Sequence, residues 1–258
     1  MQKELCGVTL HYEQYGSSDC PSVLMLHGWG CSTRHFEPIA KALEKDYFLT
    51  VIDFPAHGQS SEPPVPWGVG DFAACMKEFI LQLDIAPCDL IAHSFGGRVA
   101  LYLGAHEPQL VKRMVLTGCA GIKKPQSEEA KRRSAHYQKL KGFYQKLGQI
   151  KPLQPLAKKS LEALRQKYGS ADYNALSEEM KKTFVKVINE DLSPLLHRIQ
   201  ASTLLVWGEN DTETPLWMGK QMEKEIPDAG LVLFENDDHF AYLRQWPRFV
   251  SVVRAFLT

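Results

Sequence analysis

"LIAHSFGGRVALYL", residues 90–103, runs apolar into a serine and then apolar out again. The run before Ser94 has the length and composition of a buried strand, and the run after it has helical spacing. A serine at such a junction sits on a sharp turn, where side chains two residues away crowd the backbone and small neighbours are required. Ala92 and Gly96 supply them, so Ala92-His93-Ser94-Phe95-Gly96 fits the elbow pattern G-x-S-x-G with Ala in place of the first Gly. The turn lifts the hydroxyl to the C-terminal edge of a sheet and aims the amides of the next helix at the same space. A serine that merely caps a helix would satisfy "HSFGG" as well.

Working outward, a serine hydroxyl is a poor nucleophile at neutral pH and needs a histidine base, which in turn needs a carboxylate to hold its tautomer. Both residue types follow in the chain. "TLLVWGENDTETP" places Asp211 in the loop after an apolar strand, and "LVLFENDDHFAYL" places His239 just after the next one. Adjacent parallel strands would bring both groups to the elbow. Glu209, Asp237 and Asp238 compete with Asp211 and read more simply as polar loop residues.

Around these segments, short apolar runs alternate with helical patterns, the signature of βαβ units around a largely parallel sheet. Seven strands are expected, at "VTLHYEQY", "SVLMLHG", "FLTVIDF", "CDLIAH", "KRMVLTG", "STLLVWG" and "GLVLFEN". Helices are expected over 36–43, 72–83, 95–105 and 217–225, with a last one opening at Trp246 and Pro247. From 122 to 200 the alternation stops and Lys-rich helical segments follow one another. This stretch reads as a helical lid inserted into a core made of 1–121 and 201–258. It carries 17 Lys and Arg against 8 Asp and Glu, and in a chain of zero formal charge the remainder is correspondingly acidic. A solvated helical surface accounts for such a surplus more simply than an anion-binding face.

Composition sets the outer limits. At 258 residues, 44% hydrophobic and 23% charged, the chain has the make-up of an ordinary globular protein. Zero formal charge gives no reason to expect a nucleic-acid partner. No basic and apolar leader opens the sequence, and no run approaches the ~20 apolar residues of a membrane span, so a cytoplasmic protein without a membrane span is expected. Six scattered cysteines without a CxxC suit reduced thiols. The nine histidines show no H-E-x-x-H spacing and "FGG" lacks the Lys of a phosphate loop, so no metal, nucleotide or other cofactor is expected. Composition fixes no oligomeric state.

Taken together, "HGWG" at 27–30, "DFPAHGQS" at 53–60, the elbow, "WGEND" at 207–211 and "DHF" at 238–240 resemble the α/β-hydrolase superfamily, in particular its small lidded esterase-like members. The resemblance implies an α/β fold with a mostly parallel sheet of about eight strands flanked by helices; the eighth strand would come from "QKEL". It implies a catalytic triad of Ser94, Asp211 and His239, and an oxyanion hole made by the backbone amides of Trp29 and Phe95. Asp53 and His57 fall in a turn similar to the family's D-x-x-G-H-G-x-S, with Ala56 at the first Gly; both, like His27 and His93, are assigned to loop architecture.

The function expected is that of a serine hydrolase cleaving a small or medium carboxylic ester, its small-molecule acyl substrate passing through an acyl-enzyme. Relatives that place Asp at the elbow handle halides and epoxides, which weakens those readings here. A carbon-carbon bond hydrolase or cofactor-free lyase using the same three residues stays open, as does a ligand-binding protein with little turnover.

Overall fold

The computed structural model describes residues 1–125, 128–168, 173–174 and 176–258. Its centre is an eight-stranded sheet: β1 (Gln2–Leu5), β2 (Val8–Tyr15), β3 (Ser22–Leu26), β4 (Phe48–Ile52), β5 (Cys88–His93), β6 (Val111–Thr117), β7 (Ser202–Gly208) and β8 (Ala229–Phe234). The strands lie in the order β1-β2-β4-β3-β5-β6-β7-β8. β1 pairs antiparallel with β2 and β2 with β4; every other pairing is parallel. The seven expected strands are present, and "QKEL" forms the eighth, as the antiparallel edge.

Parallel strands are buried on both faces and so read as continuous apolar runs. β5 is buried along its whole length, with Leu90 and Ala92 turned to one side of the sheet and Ile91 to the other. β7 repeats the alternation, Leu205 and Trp207 against Leu204 and Val206. On the first side pack α2 (Val69–Gln82) and α3 (Phe95–His106) through residues such as Phe72, Phe79 and Leu101. On the second pack α1 (Glu37–Leu43) and the C-terminal helix Trp246–Leu257 through Ile39, Phe249 and Val253. Pro38 and Pro247 open those two helices within the first turn, where an amide would have no acceptor.

The chain divides into two compact units, Met1–Lys123 with Val185–Thr258, and Lys124–Phe184. Within the second, α4 (Glu128–Leu147) and α5 (Gln154–Tyr168) are helices, and Arg165 pairs with Glu178 at 3.2 Å. Residues 126–127, 169–172 and 175 of the segment expected as a lid lie outside the described residues. The chain then runs through α6 (Glu178–Asn189) back to the sheet. There Arg98 donates to the Glu190 carbonyl at 2.8 Å, Leu192 N to the Gly121 carbonyl at 2.8 Å, and Lys186 to the Pro66 carbonyl at 2.7 Å. Further helices are α7 (Leu216–Glu225), the single turn α8 (Ala241–Arg244) and α9 (Trp246–Leu257). Among the described residues no helix is long and apolar enough to cross a membrane.

Candidate active site

Because β3, β5, β6, β7 and β8 run in one direction side by side, the loops that leave them open on one edge of the sheet. Crevices at that edge are where ligands bind in open α/β sheets. Ser94 follows β5 immediately. Its φ of +50° and ψ of −107° lie in a region that L residues avoid, and it caps α3 from outside the helix. A strained elbow of this kind holds only where its surroundings over-determine it. Here Ser94 N donates to the Thr117 carbonyl at 3.1 Å, and the Ser94 carbonyl accepts from Gly97 N and Ala120 N. Gly96 is required by contact: a Cβ there would run into the backbone carbonyls of Leu26 and His27. Its amide instead donates to the His27 carbonyl at 3.1 Å, which ties the elbow to the loop after β3.

The residues expected as base and acid, His239 and Asp211, follow the last two strands. The Ser94 hydroxyl donates to His239 Nε2 across 2.9 Å, and His239 Nδ1–H donates to Asp211 Oδ2 across 2.8 Å. Asp211 is fully buried through its side chain and His239 is mostly so. The competing acids are engaged elsewhere. Glu209 accepts from Asn236 N, Asp237 from Arg244 and Gln245, and Asp238 from Phe240 N while pairing with Arg244. The arrangement can therefore move a proton off a hydroxyl and hold the resulting imidazolium against a carboxylate.

The loop after β3 turns sharply, with Cys31 N donating to the Gly28 carbonyl at 3.1 Å. The Trp29 indole meets the Phe95 ring edge-on at 5.2 Å and the His57 ring at 4.9 Å. Phe95 opens α3, so its amide is one of the first-turn donors that have no intrahelical acceptor. Trp29 and Phe95 thus stand side by side at the serine.

A buried carboxylate braces this loop. Asp53 accepts from Thr33 N at 2.7 Å and Gln59 N at 2.9 Å, and lies 2.8 Å from His11 Nδ1. His27 accepts from Phe54 N at its Nε2 and donates from Nδ1 to the Gly28 carbonyl. Burial, with the proximity of the His57 ring adding, pulls the His27 imidazole down to about 3. His57 donates to the Pro55 carbonyl and is also lowered by burial. Both are neutral hydrogen-bonding rings. His93 is a third: burial first, then the proximity of His239, holds it well below the usual imidazole range. Its Nδ1 donates to the Thr117 carbonyl, and its ring sits 4.7 Å from that of His239 and 4.5 Å from that of Tyr242. It is a wall behind the His239 ring.

Thr214 also joins the site, without a motif in the sequence to mark it. Its amide donates to Asp211 Oδ1 at 2.8 Å and its hydroxyl lies 2.8 Å from Asp211 Oδ2. A threonine before a proline reads as ordinary helix punctuation, but the i, i+3 spacing from Asp211 is that of a side chain closing a turn. No group of three or more His, Cys, Asp or Glu side chains placed to hold a metal occurs among the described residues.

Comparison with known proteins identifies the family. The chain is 28% identical over 247 residues to a pimeloyl-[acyl-carrier protein] methyl ester esterase of Chromobacterium violaceum, covering 92% of this chain and 94% of that one. Its likeness to the esterase of the same name from Neisseria meningitidis is 27% over 243 residues, 91% and 92% of the two chains. A solved hydrolase from Pseudomonas aeruginosa superposes with a TM-score of 0.76 at 25% identity, over 99% of this chain and 98% of that one. The model of the alpha/beta hydrolase fold matches residues 21–244, which hold the elbow, the loops after β3 and β4, and the strand ends bearing Asp211 and His239. This protein belongs to the alpha/beta hydrolase family.

Proposed function

We propose that this protein is a serine hydrolase that cleaves small or medium carboxylic esters through an acyl-enzyme intermediate. The observation that carries the reading is the unbroken line from the Ser94 hydroxyl through His239 to Asp211, at 2.9 and 2.8 Å. In this mechanism His239 Nε2 takes the Ser94 proton as Oγ attacks the ester carbonyl carbon. The carbonyl π electrons move onto oxygen, which the Trp29 and Phe95 amides stabilise. Collapse of this intermediate breaks the bond to the alkoxy oxygen, to which His239 returns the proton. Water then attacks the acyl-serine, giving one proton to His239, and the carboxylic acid leaves as Ser94 Oγ is reprotonated. Asp211 keeps Nδ1 protonated and steadies the imidazolium throughout.

The names of the Chromobacterium and Neisseria relatives support a methyl ester on a carrier-bound acyl chain as the substrate class. The stretch from residue 130 to 161, with nine Lys and Arg and no Asp or Glu, is compatible with an acidic carrier, although a solvated helical surface explains it as simply. In this reading the helical insertion expected at 122–200 serves as the lid.

Intact mass after treatment with a fluorophosphonate, followed by a series of p-nitrophenyl esters of rising chain length, tests the proposal. Wild type is expected to gain one phosphonyl adduct and to turn over short or medium esters. Ser94→Ala is expected to gain none and to lose turnover by about 10⁴-fold or more. Ser94-dependent labelling without ester turnover would move the reading to carbon-carbon or lyase chemistry, and no labelling in either protein would favour a binding role.

A further inference from the structure

We propose that Thr214 is a positioning residue for the acid and base, acting on His239 through Asp211; the inference rests on the reading of Ser94, His239 and Asp211 as the catalytic groups. A carboxylate that hydrogen-bonds an imidazole through one oxygen can still swing about its Cβ–Cγ bond, and each degree of swing misdirects the ring. Thr214 removes that freedom at both oxygens. Its amide donates to Oδ1 at 2.8 Å while its hydroxyl stands 2.8 Å from Oδ2, the oxygen that also receives His239 Nδ1–H. One residue thus clamps the carboxylate from two sides.

The clamp is itself anchored. The Thr214 carbonyl accepts from the fully buried Trp207 indole at 2.6 Å, and Thr214 is only 5% exposed. The hydroxyl also lies 3.0 Å from the Gly118 carbonyl and 3.3 Å from His239 Nδ1. Gly118 follows β6 at a φ of +49°, and a Cβ on it would stand 3.1 Å from His239 Nδ1 and 3.3 Å from Asp211 Oδ2. The loops after β6, β7 and β8 therefore meet at a single hydroxyl.

That hydroxyl has one proton and two acceptors, Asp211 Oδ2 and the Gly118 carbonyl. While His239 is neutral, Oδ2 carries the fuller charge and draws the hydroxyl proton. When His239 becomes an imidazolium, its Nδ1–H bond to Oδ2 strengthens, and the hydroxyl proton turns to Gly118. No bond is made or broken in the exchange. Oδ2 has two donors in one state and a stronger single partner in the other, while Oδ1 keeps the Thr214 amide in both, so the carboxylate's direction is preserved while its charge is used.

Thr214→Val keeps the volume and removes the hydroxyl; Thr214→Ala leaves room for water; Thr214→Ser restores the hydroxyl alone. In Val or Ala variants that still melt cooperatively, kcat on a p-nitrophenyl ester is expected to fall about 10- to 100-fold with KM little changed. The acidic limb of the pH–rate profile is expected to move to higher pH, because a carboxylate short of one donor holds a proton on its partner imidazole more firmly. Thr214→Ser is expected to recover most of the rate and the original limb. A Val or Ala variant with wild-type kcat and an unmoved limb overturns the proposal, as does a Ser variant as slow as Val. Fluorophosphonate labelling separates this from a failure of the underlying reading. If wild type is labelled at Ser94 while Thr214→Val reacts at the wild-type rate, only the role of Thr214 falls; if wild type itself is not labelled, the reading of the site falls and takes the proposal with it.

Discussion

Ser94 and Ala56 share a conformational burden and carry it for different reasons. Ser94 at φ +50° is held by the elbow that presents its hydroxyl. Ala56 at φ +66° stands in the turn after β4, its amide bonded to the Ser61 carbonyl at 2.9 Å. The left-handed region costs a residue bearing a Cβ about 1–2 kcal/mol, while glycine loses more freedom on folding by about half that. Ala56→Gly is therefore expected to stabilise the protein by about 0.5–1 kcal/mol, read as a shift of about 2 °C in Tm. A lowered Tm would show that the methyl group makes a packing contact worth more than the strain. The substitution was visible in the sequence as a departure from the turn pattern, but its φ was not. The same holds at Thr214 and His93. Their residue types are ambiguous alone, and the partners that give them meaning, Gly118 for one and His239 and Tyr242 for the other, come from distant parts of the chain.

At the level of elements, the site depends on how closely α3 approaches β3. The first turn of the helix lies against the Leu26 and His27 carbonyls, and the Gly96 amide makes the bond that joins them. Gly96→Ala cannot be relieved by a side-chain rotation, because the obstacle is backbone. A loss of at least about 3 kcal/mol is expected, on the order of 10 °C in Tm for a domain of this size, together with slower labelling at Ser94. A variant that melts and labels as wild type does would mean that the helix can slide without disturbing the elbow. The strands were legible because parallel strands buried on both faces write long apolar runs, and the principal helices were legible from their spacing. The single turn Ala241–Arg244 was not, since four residues are too few to show a period. Nor were the bonds from Arg98 and Lys186, which join residues far apart in the chain.

For the whole molecule, the buried imidazoles set an acid limit. His27 is pulled to about 3 and His93 lies well below the usual range, both chiefly by burial. A histidine whose folded value is depressed contributes stability that is complete above its unfolded value of about 6.5 and is lost as pH falls toward the folded one. The unfolded chain binds the proton first. His27 alone is then expected to cost about 2 kcal/mol at pH 5 relative to pH 7.5. Tm measured across that interval should fall with acidification, and a flat profile would show that water reaches these rings. The order in which the site is built has a further consequence. Ser94 lies before the helical unit in the chain, whereas Asp211 and His239 lie after it. A ribosome making this protein thus releases Ser94 well before Asp211 and His239 exist. On the mechanism proposed above, the serine stays unactivated until the segment after β8 has been made and β8 has paired with β7, so that last parallel pairing would act as a safety catch.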